Sequence, residues 1–235
     1  MRIATLAEAF DVTTETVRRD LDALGRSGAL KRTYGGGAGR SLIDEPGIGI
    51  RSRAKATERA LIGATAARMV APGDALMIDC GSTTMFFANA LAARHLHLTV
   101  VTNSLAAAQV LGTNVECRVI LCPGDYVMRE GGVYGSDALE FVRRFNVDRA
   151  FIGAGGLTAD GVTDADSRSC SIKRAMMKCA NQTTLLLDSS KYDVVQFEHV
   201  CPLMEIDGLV SEAAPHKRLA GRLRDAGVKV AIARE

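Results

Sequence analysis

Tryptophan is absent from this 235-residue chain, and aromatics are scarce, with seven Phe and four Tyr. That scarcity argues against a protein that grips single strands by stacking bases on aromatic platforms. No apolar run is long enough for a membrane span or a secretory leader, because each is broken by Gly or a polar residue. Six cysteines (Cys80, Cys117, Cys122, Cys170, Cys179 and Cys201) form no CxxC pair and no zinc-like spacing. Small buried thiols in a reducing compartment account for them, so a cytoplasmic protein is expected. Cys80 lies beside a candidate anion loop, but no base partner for a nucleophile is visible. His95 and His97 stand one residue apart without a third ligand and read as strand or loop residues. Neither a metal nor a cofactor is expected.

What is present begins with charge. The net charge is only +2, and residues 1–40 carry all of it, with seven Lys and Arg against five Asp and Glu. Thr5 to Phe10 places Leu6, Ala7 and Phe10 at helical spacing, and Asp11-Val12 makes a tight turn. Thr13 is set to cap a second helix, on which Val17, Leu21 and Leu24 share a face. Thr14, Glu15, Arg18, Arg19 and Asp22 are left on the others. Gly28 closes the helix, and Leu30-Lys31-Arg32-Thr33-Tyr34-Gly35-Gly36 follows as a basic hairpin. This order is helix, turn, recognition helix, wing. In such a head Thr14, Thr16 and Arg18 meet base edges in the major groove, while Arg19, Arg26, Lys31 and Arg32 neutralise phosphates. An ordinary amphipathic helix with solvated arginines is the plainer reading of the RRDL segment alone.

Gly35 to Gly49 lacks a sustained hydrophobic period and reads as linker, giving a head over 1–37, a linker over 38–50 and a larger domain over 51–235. From about Ile50 helices alternate with apolar strands. The helices are expected over Thr57–Val70, Thr83–Ala93, Leu105–Leu111, Asp137–Phe145, Ser169–Ala180 and Pro215–Ala226. The strands are expected over Ala75–Ile78, Leu98–Val101, Cys117–Leu121, Ala150–Gly153, Thr184–Leu187, Gly208–Val210 and Val228–Ile232. Such alternation predicts a doubly wound, largely parallel α/β sheet covered on both faces. Ligands of such sheets sit at the carboxyl ends of strands, near helix starts.

Three strand-to-helix junctions fit that rule. Asp79-Cys80-Gly81-Ser82-Thr83-Thr84 offers close backbone approach, three hydroxyls and the unpaired N–H groups of a helix start, which suits an anion; a plain N-cap turn fits it equally. Thr102-Asn103-Ser104 repeats the logic, and alone it is a cap. Asp188-Ser189-Ser190-Lys191 brings a cation and hydroxyls to the same edge, with an exposed lysine as the alternative.

The V-T-x-E-T-V-R-R-D-L block, the L-K-R-x-Y-G-G wing and D-x-G-x-T-T, T-N-S and D-x-S-K in this order resemble DeoR-type bacterial transcriptional regulators along essentially the whole chain. Members of that family carry a further helix ahead of the segment that starts here at Met1, so the resemblance implies a winged helix-turn-helix incomplete at its N-terminus. It also implies an effector domain similar to ribose-5-phosphate isomerase A that answers to a phosphorylated sugar or sugar alcohol. Effector contacts would then come from Gly81, Ser82, Thr83, Thr84, Asn103, Ser104, Asp188 and Lys191. Arg51 and Arg59 match basic positions at the domain entrance, and Lys173 one on the later helix; at Arg59 the family usually shows lysine. Tyr126, Met128, Arg129 and Glu130 are candidates for specificity. The implied function is a homo-oligomeric repressor of carbohydrate-metabolism genes that binds double-stranded operator DNA and is relieved by its effector.

The rival is a sugar-phosphate isomerase or a related transferase. Moving a proton between carbons needs a carboxylate base. The isomerase family carries its acids in a D-G-A-D-E block, where this chain reads Ile152-Gly153-Ala154-Gly155-Gly156. Asp160, Asp164 and Asp166 follow, at a spacing that suits a solvated turn. An enzyme is therefore not expected. A third reading is a ligand-binding protein without DNA binding.

Overall fold

The computed structural model describes residues 2–26, 30–33, 36–39, 42 and 45–234, with side chains over 2–22, 42 and 45–234. The chain divides into two compact units, Met1–Asp44 and Glu45–Glu235. The larger unit thus begins six residues ahead of the expected position 51, inside the segment read as linker.

In the smaller unit, α1 (Ile3–Ala9) and α2 (Thr14–Arg26) precede the antiparallel pair β1 (Leu30–Thr33) and β2 (Gly36–Gly39). Asp11 takes a positive φ of 50°, which lets the chain reverse between the helices. The Thr13 hydroxyl accepts from the Thr16 N–H at 3.1 Å and caps α2 as its sequence foretold. Ala7, Val17 and Leu21 are buried together against Ile3 and Leu6. Phe10, expected on that apolar face, lies instead at the C-cap of α1 and is 70% exposed.

The larger unit is built on a seven-stranded parallel sheet. Its elements are α3 (Ile48–Arg51), α4 (Ala56–Ala67), β3 (Ala75–Ile78), α5 (Ser82–Ala92), β4 (Leu98–Thr102), α6 (Leu105–Leu111), β5 (Cys117–Leu121), β6 (Asp125–Val127), β7 (Gly132–Tyr134), α7 (Ser136–Val142) and β8 (Val147–Ile152). They continue with β9 (Gly156–Thr158), β10 (Gly161–Asp164), α8 (Ser167–Lys178), β11 (Ala180–Leu186), β12 (Glu198–Cys201), β13 (Gly208–Ser211), α9 (Lys217–Asp225) and β14 (Lys229–Ile232). The sheet order is β14-β13-β11-β8-β3-β4-β5, and every pairing in it is parallel. Runs such as Leu76-Met77-Ile78 and Phe151-Ile152 are buried on both faces, which is why they read as unbroken apolar strands. On one face α4 and α5 approach closely at Gly63, where a Cβ would lie 2.6 Å from the Phe86 backbone.

The chain winds outward from β3 through β4 to β5, then returns to lay β8 on the other side of β3. The order therefore reverses between β3 and β8, and the loops leaving their carboxyl ends diverge to open a crevice. Two small additions flank it: the hairpin β6-β7, and the antiparallel trio β12-β10-β9. Neither was expected from the sequence.

Candidate functional site

A cavity of about 30 Å³ lies at that reversal. Its walls come from the loop after β3 (Cys80, Gly81, Ser82, Thr83), the loop after β8 (Gly153, Ala154), the loop after β11 (Leu187, Asp188, Lys191), and Glu45, Arg51, Arg59, Asp164 and Lys173. Eight of the residues expected at an effector site are thus brought together: Arg51, Arg59, Gly81, Ser82, Thr83, Lys173, Asp188 and Lys191. Gly81 precedes α5 in extended backbone, and no side chain caps that helix, so the first-turn N–H groups of Ser82 and Thr83 open at the cavity.

Three of the expected contacts stand elsewhere. Thr84 is fully buried and donates its hydroxyl to the carbonyls of Asp79 and Gly81, holding the turn in shape. Asn103 is buried and donates to the Val133 carbonyl. Ser104 caps α6 by accepting from the Ala107 N–H at 3.2 Å. It lines a neighbouring cavity of about 200 Å³, with Ile48, Met85, Gln109 and Tyr126, that shares Cys80 and Gly81 with the first.

The cations of the first cavity are all paired. Lys173, buried on α8, places Nζ 3.0 Å from Asp79 and 2.9 Å from Asp164. Burial would lower its pKa, but Asp164 and then Asp79 hold it well above the ordinary value, so the ammonium stays charged. Asp79 also accepts from the Gly153 N–H at 3.1 Å, tying the end of β3 to that of β8. Arg59 gives Nε and Nη2 to one Asp188 oxygen, at 3.1 and 2.9 Å, and its Nη1 to the Arg51 carbonyl. Burial would raise the Asp188 pKa; the Ser190 hydroxyl and Arg59 outweigh it and hold the carboxyl below its ordinary value. Arg51 bridges Glu45 at 2.6 Å and Glu130 at 2.7 Å, and Lys191 pairs with Glu45 at 2.6 Å.

This geometry corrects the reading of the acids after β9. Asp164 is no solvated turn residue: it ends β10, is buried, and shares Lys173 with Asp79. Asp166 N-caps α8, accepting from the N–H groups of Arg168 and Ser169. Asp160 alone is exposed. Gly155 and Gly156 explain why no acid stands where the isomerase block would place one. A Cβ at Gly156 would meet the Val194 carbonyl at 2.0 Å, and one at Gly155 the Gln196 side chain at 2.8 Å. The Cys80 thiol donates to the Glu130 carbonyl, and burial pushes its pKa up to about 11, so it is no thiolate nucleophile.

Glu45 is the residue that sequence reasoning missed. It sat in a Gly-rich stretch, where a charged side chain is normally solvated, and no local periodicity pairs it with Arg51. Of the specificity candidates, Tyr126 lines the larger cavity, Glu130 binds Arg51, Arg129 donates to the Glu45 carbonyl, and Met128 is 80% exposed.

On α2, Thr14, Arg18 and Arg19 are exposed, and Arg18 lies 3.4 Å from Glu15. Thr16 is half-buried and shares a hydrogen bond with the Thr13 hydroxyl. The side chains of Leu24, Arg26, Lys31 and Arg32 lie outside what the structure describes, and Gly28 lies outside the described residues altogether; Leu24 is within α2, Arg26 ends it, and Lys31 and Arg32 fall on β1.

The DeoR C-terminal sensor domain family matches residues 54–213, and the DeoR-like helix-turn-helix domain family matches residues 1–40. The chain belongs to the DeoR family. It is a DNA-binding transcriptional regulator, not an enzyme. Among its DeoR-family relatives, the transcriptional repressor CsqR of Escherichia coli is 28% identical, over 100% of this chain and 90% of that protein. The glycerol-3-phosphate regulon repressor of E. coli is 30% identical, over 89% and 83%. The repressor GlcR of Bacillus subtilis is 30% identical, over 98% and 90%. Among solved structures, eIF2B beta from Chaetomium thermophilum shares the fold, with a TM-score of 0.51 and 18% identity over 73% of this chain and 54% of that one. Ribose 5-phosphate isomerase A from Methanocaldococcus jannaschii aligns over 59% and 55%, with 17% identity and a TM-score of 0.44. No helix among the described residues is long and apolar enough to cross a membrane, and no three metal-ligating side chains cluster among them.

Proposed function

We propose that this chain is a homo-oligomeric, cytoplasmic repressor of carbohydrate-metabolism genes whose hold on operator DNA is relieved by a phosphorylated sugar or sugar alcohol. The observation that carries the effector half is the cavity at the β3/β8 reversal, where Arg51, Arg59, Lys173 and Lys191 converge on the uncapped start of α5. Convergent cations and free helix N–H groups suit a phosphate monoester. Gly81, Ser82 and Thr83 supply the backbone cradle, Arg51 and Lys191 the charge. Arg59 with Asp188, and Lys173 with its two aspartates, hold the cradle rigid. Thr84, Asn103 and Ser104 support the loops behind it. The larger adjoining cavity accepts the carbon chain.

The relatives support the same reading, since one is named for glycerol 3-phosphate and all three are named repressors. On the head, Thr14 and Arg18 read bases, with Thr16 supporting them through Thr13, and Arg19, Arg26, Lys31 and Arg32 hold phosphates. An oligomer supplies the paired heads that tight, specific binding needs. All six cysteines are free thiols, as a reducing compartment requires.

Two substitutions separate the halves. Arg18→Ala should abolish operator binding while sugar-phosphate binding, read by calorimetry, persists. Lys191→Ala should leave operator binding intact and blunt release by the effector. Release unchanged in Lys191→Ala would refute the assigned clamp.

A further inference from the structure

Glu45 is the first residue of the larger unit, and its side chain behaves in the cavity as a bound anion would. One carboxylate oxygen accepts from Lys191 Nζ and the other from Arg51 Nη1, both at 2.6 Å, and the residue is only 6% exposed. We propose that Glu45 is a built-in surrogate for the effector's anionic group, holding Arg51 and Lys191 until a phosphate takes its place. The proposal rests on the effector reading above and adds the step by which binding is felt outside the cavity.

Three observations carry it. First, Lys191 has no ion-pair partner other than Glu45 among the described residues, so a phosphate reaching Lys191 competes with that one carboxylate for the ammonium. Second, the cavity's volume of about 30 Å³ is well short of the ~300–1,000 Å³ typical of ligand pockets. Glu45 is part of the wall, so its departure both frees the charge and opens the space. Third, Arg51, Arg59, Lys173 and Lys191 already face Glu45, Asp79, Glu130, Asp164 and Asp188. These five carboxylates already outnumber the four cations, so an added dianion favours the departure of one of them.

Asp79, Asp164 and Asp188 are fixed in the loops and strand ends of the sheet's edge. Glu45 stands where the chain enters the body, tied down by the Arg129 guanidinium on its carbonyl and by the Ile48 N–H on the Arg129 carbonyl. Arg51 also keeps a buried Nε without an acceptor, a donor still available to an incoming oxygen. Expelling Glu45 loosens the segment that leads toward the DNA-binding head, which couples cavity to tether.

The test uses the full chain with inorganic phosphate as probe. Calorimetric titration of wild type and Glu45→Gln should show phosphate binding about tenfold or more tighter in the variant, since the internal competitor loses its charge. In wild type, phosphate should speed hydrogen exchange of the backbone amides over residues 47–51. That second measurement decides the matter even if Glu45→Gln is too unstable to titrate. Equal affinity in the two proteins, or slower exchange of 47–51 with phosphate, overturns the surrogate role while leaving the cavity an anion site. No phosphate binding by either protein overturns the effector reading itself, and the surrogate with it.

Discussion

Replacing Lys173 with methionine should destabilise the larger unit by about 3–5 kcal/mol at pH 7, the usual cost of removing one partner from a buried ion pair. The lysine is 3% exposed and stands 3.0 Å from Asp79 and 2.9 Å from Asp164, so its loss leaves two carboxylates facing each other away from water. The protein escapes that repulsion by protonating one of them. From an ordinary carboxyl pKa near 3.9, holding a proton at pH 7 costs about 1.4 kcal/mol for each of about three pH units, or roughly 4 kcal/mol. The two routes agree. The second also fixes the pH dependence, because the folded variant then binds a proton that the unfolded chain releases. Its stability must therefore fall as pH rises, and the deficit against wild type should shrink by about 1.4 kcal/mol per unit between pH 7 and pH 5. In thermal melts followed by circular dichroism, the pH 7 deficit corresponds to about 2–4 °C per kcal/mol. The triple variant Asp79→Asn, Asp164→Asn, Lys173→Met should lose less than the single one. A deficit below about 1 kcal/mol, or one flat between pH 5 and 7, would refute a buried, charged triad.

Two further perturbations probe the frame of the site. Gly156→Ala should cost about 2 kcal/mol or more, because its Cβ would meet the Val194 carbonyl at 2.0 Å and β9 must shift; urea denaturation within about 0.5 kcal/mol of wild type would contradict the packing described. Asp188, whose pKa is held below that of the unfolded chain, contributes stability present above about pH 4 and lost as pH falls through its folded value. Asp188→Asn should accordingly flatten the acid side of the stability curve, and an unchanged slope below pH 4 would show that the Arg59 pair is not its source.

The inner strands of the parallel sheet were legible because burial on both faces leaves runs such as Leu76-Met77-Ile78 and Ala150-Phe151-Ile152 apolar. The hairpin β6-β7 and the trio β9, β10 and β12 were not, for a physical reason. Strands of three or four residues, with Gly132, Gly156 and Gly161 among them, carry no periodic signal; β6-β7 and β9-β10 close as short local hairpins, and β12 joins β10 only by distant pairing, such as that of Val162 with Cys201. The same limit hid the chemistry of the acids. Asp164 and Asp160 look alike in sequence; only the fold puts one against Lys173 and leaves the other in water. The motif residues Gly81, Ser82, Thr83, Asp188 and Lys191 could be located because turn chemistry is local. Glu45 could not, since its partners Arg51 and Lys191 are six and 146 residues away.

The central claim is that a phosphorylated sugar or sugar alcohol releases this DeoR-family regulator from DNA. Fluorescence anisotropy of labelled DNA from upstream of its own gene, titrated with the protein and then with a panel of sugar phosphates and sugar-alcohol phosphates, tests it most directly. One phosphorylated compound should lower the anisotropy to that of free DNA, while its unphosphorylated counterpart should not. Specific binding that no member of the panel disturbs, or that the unphosphorylated compound releases equally, would contradict it.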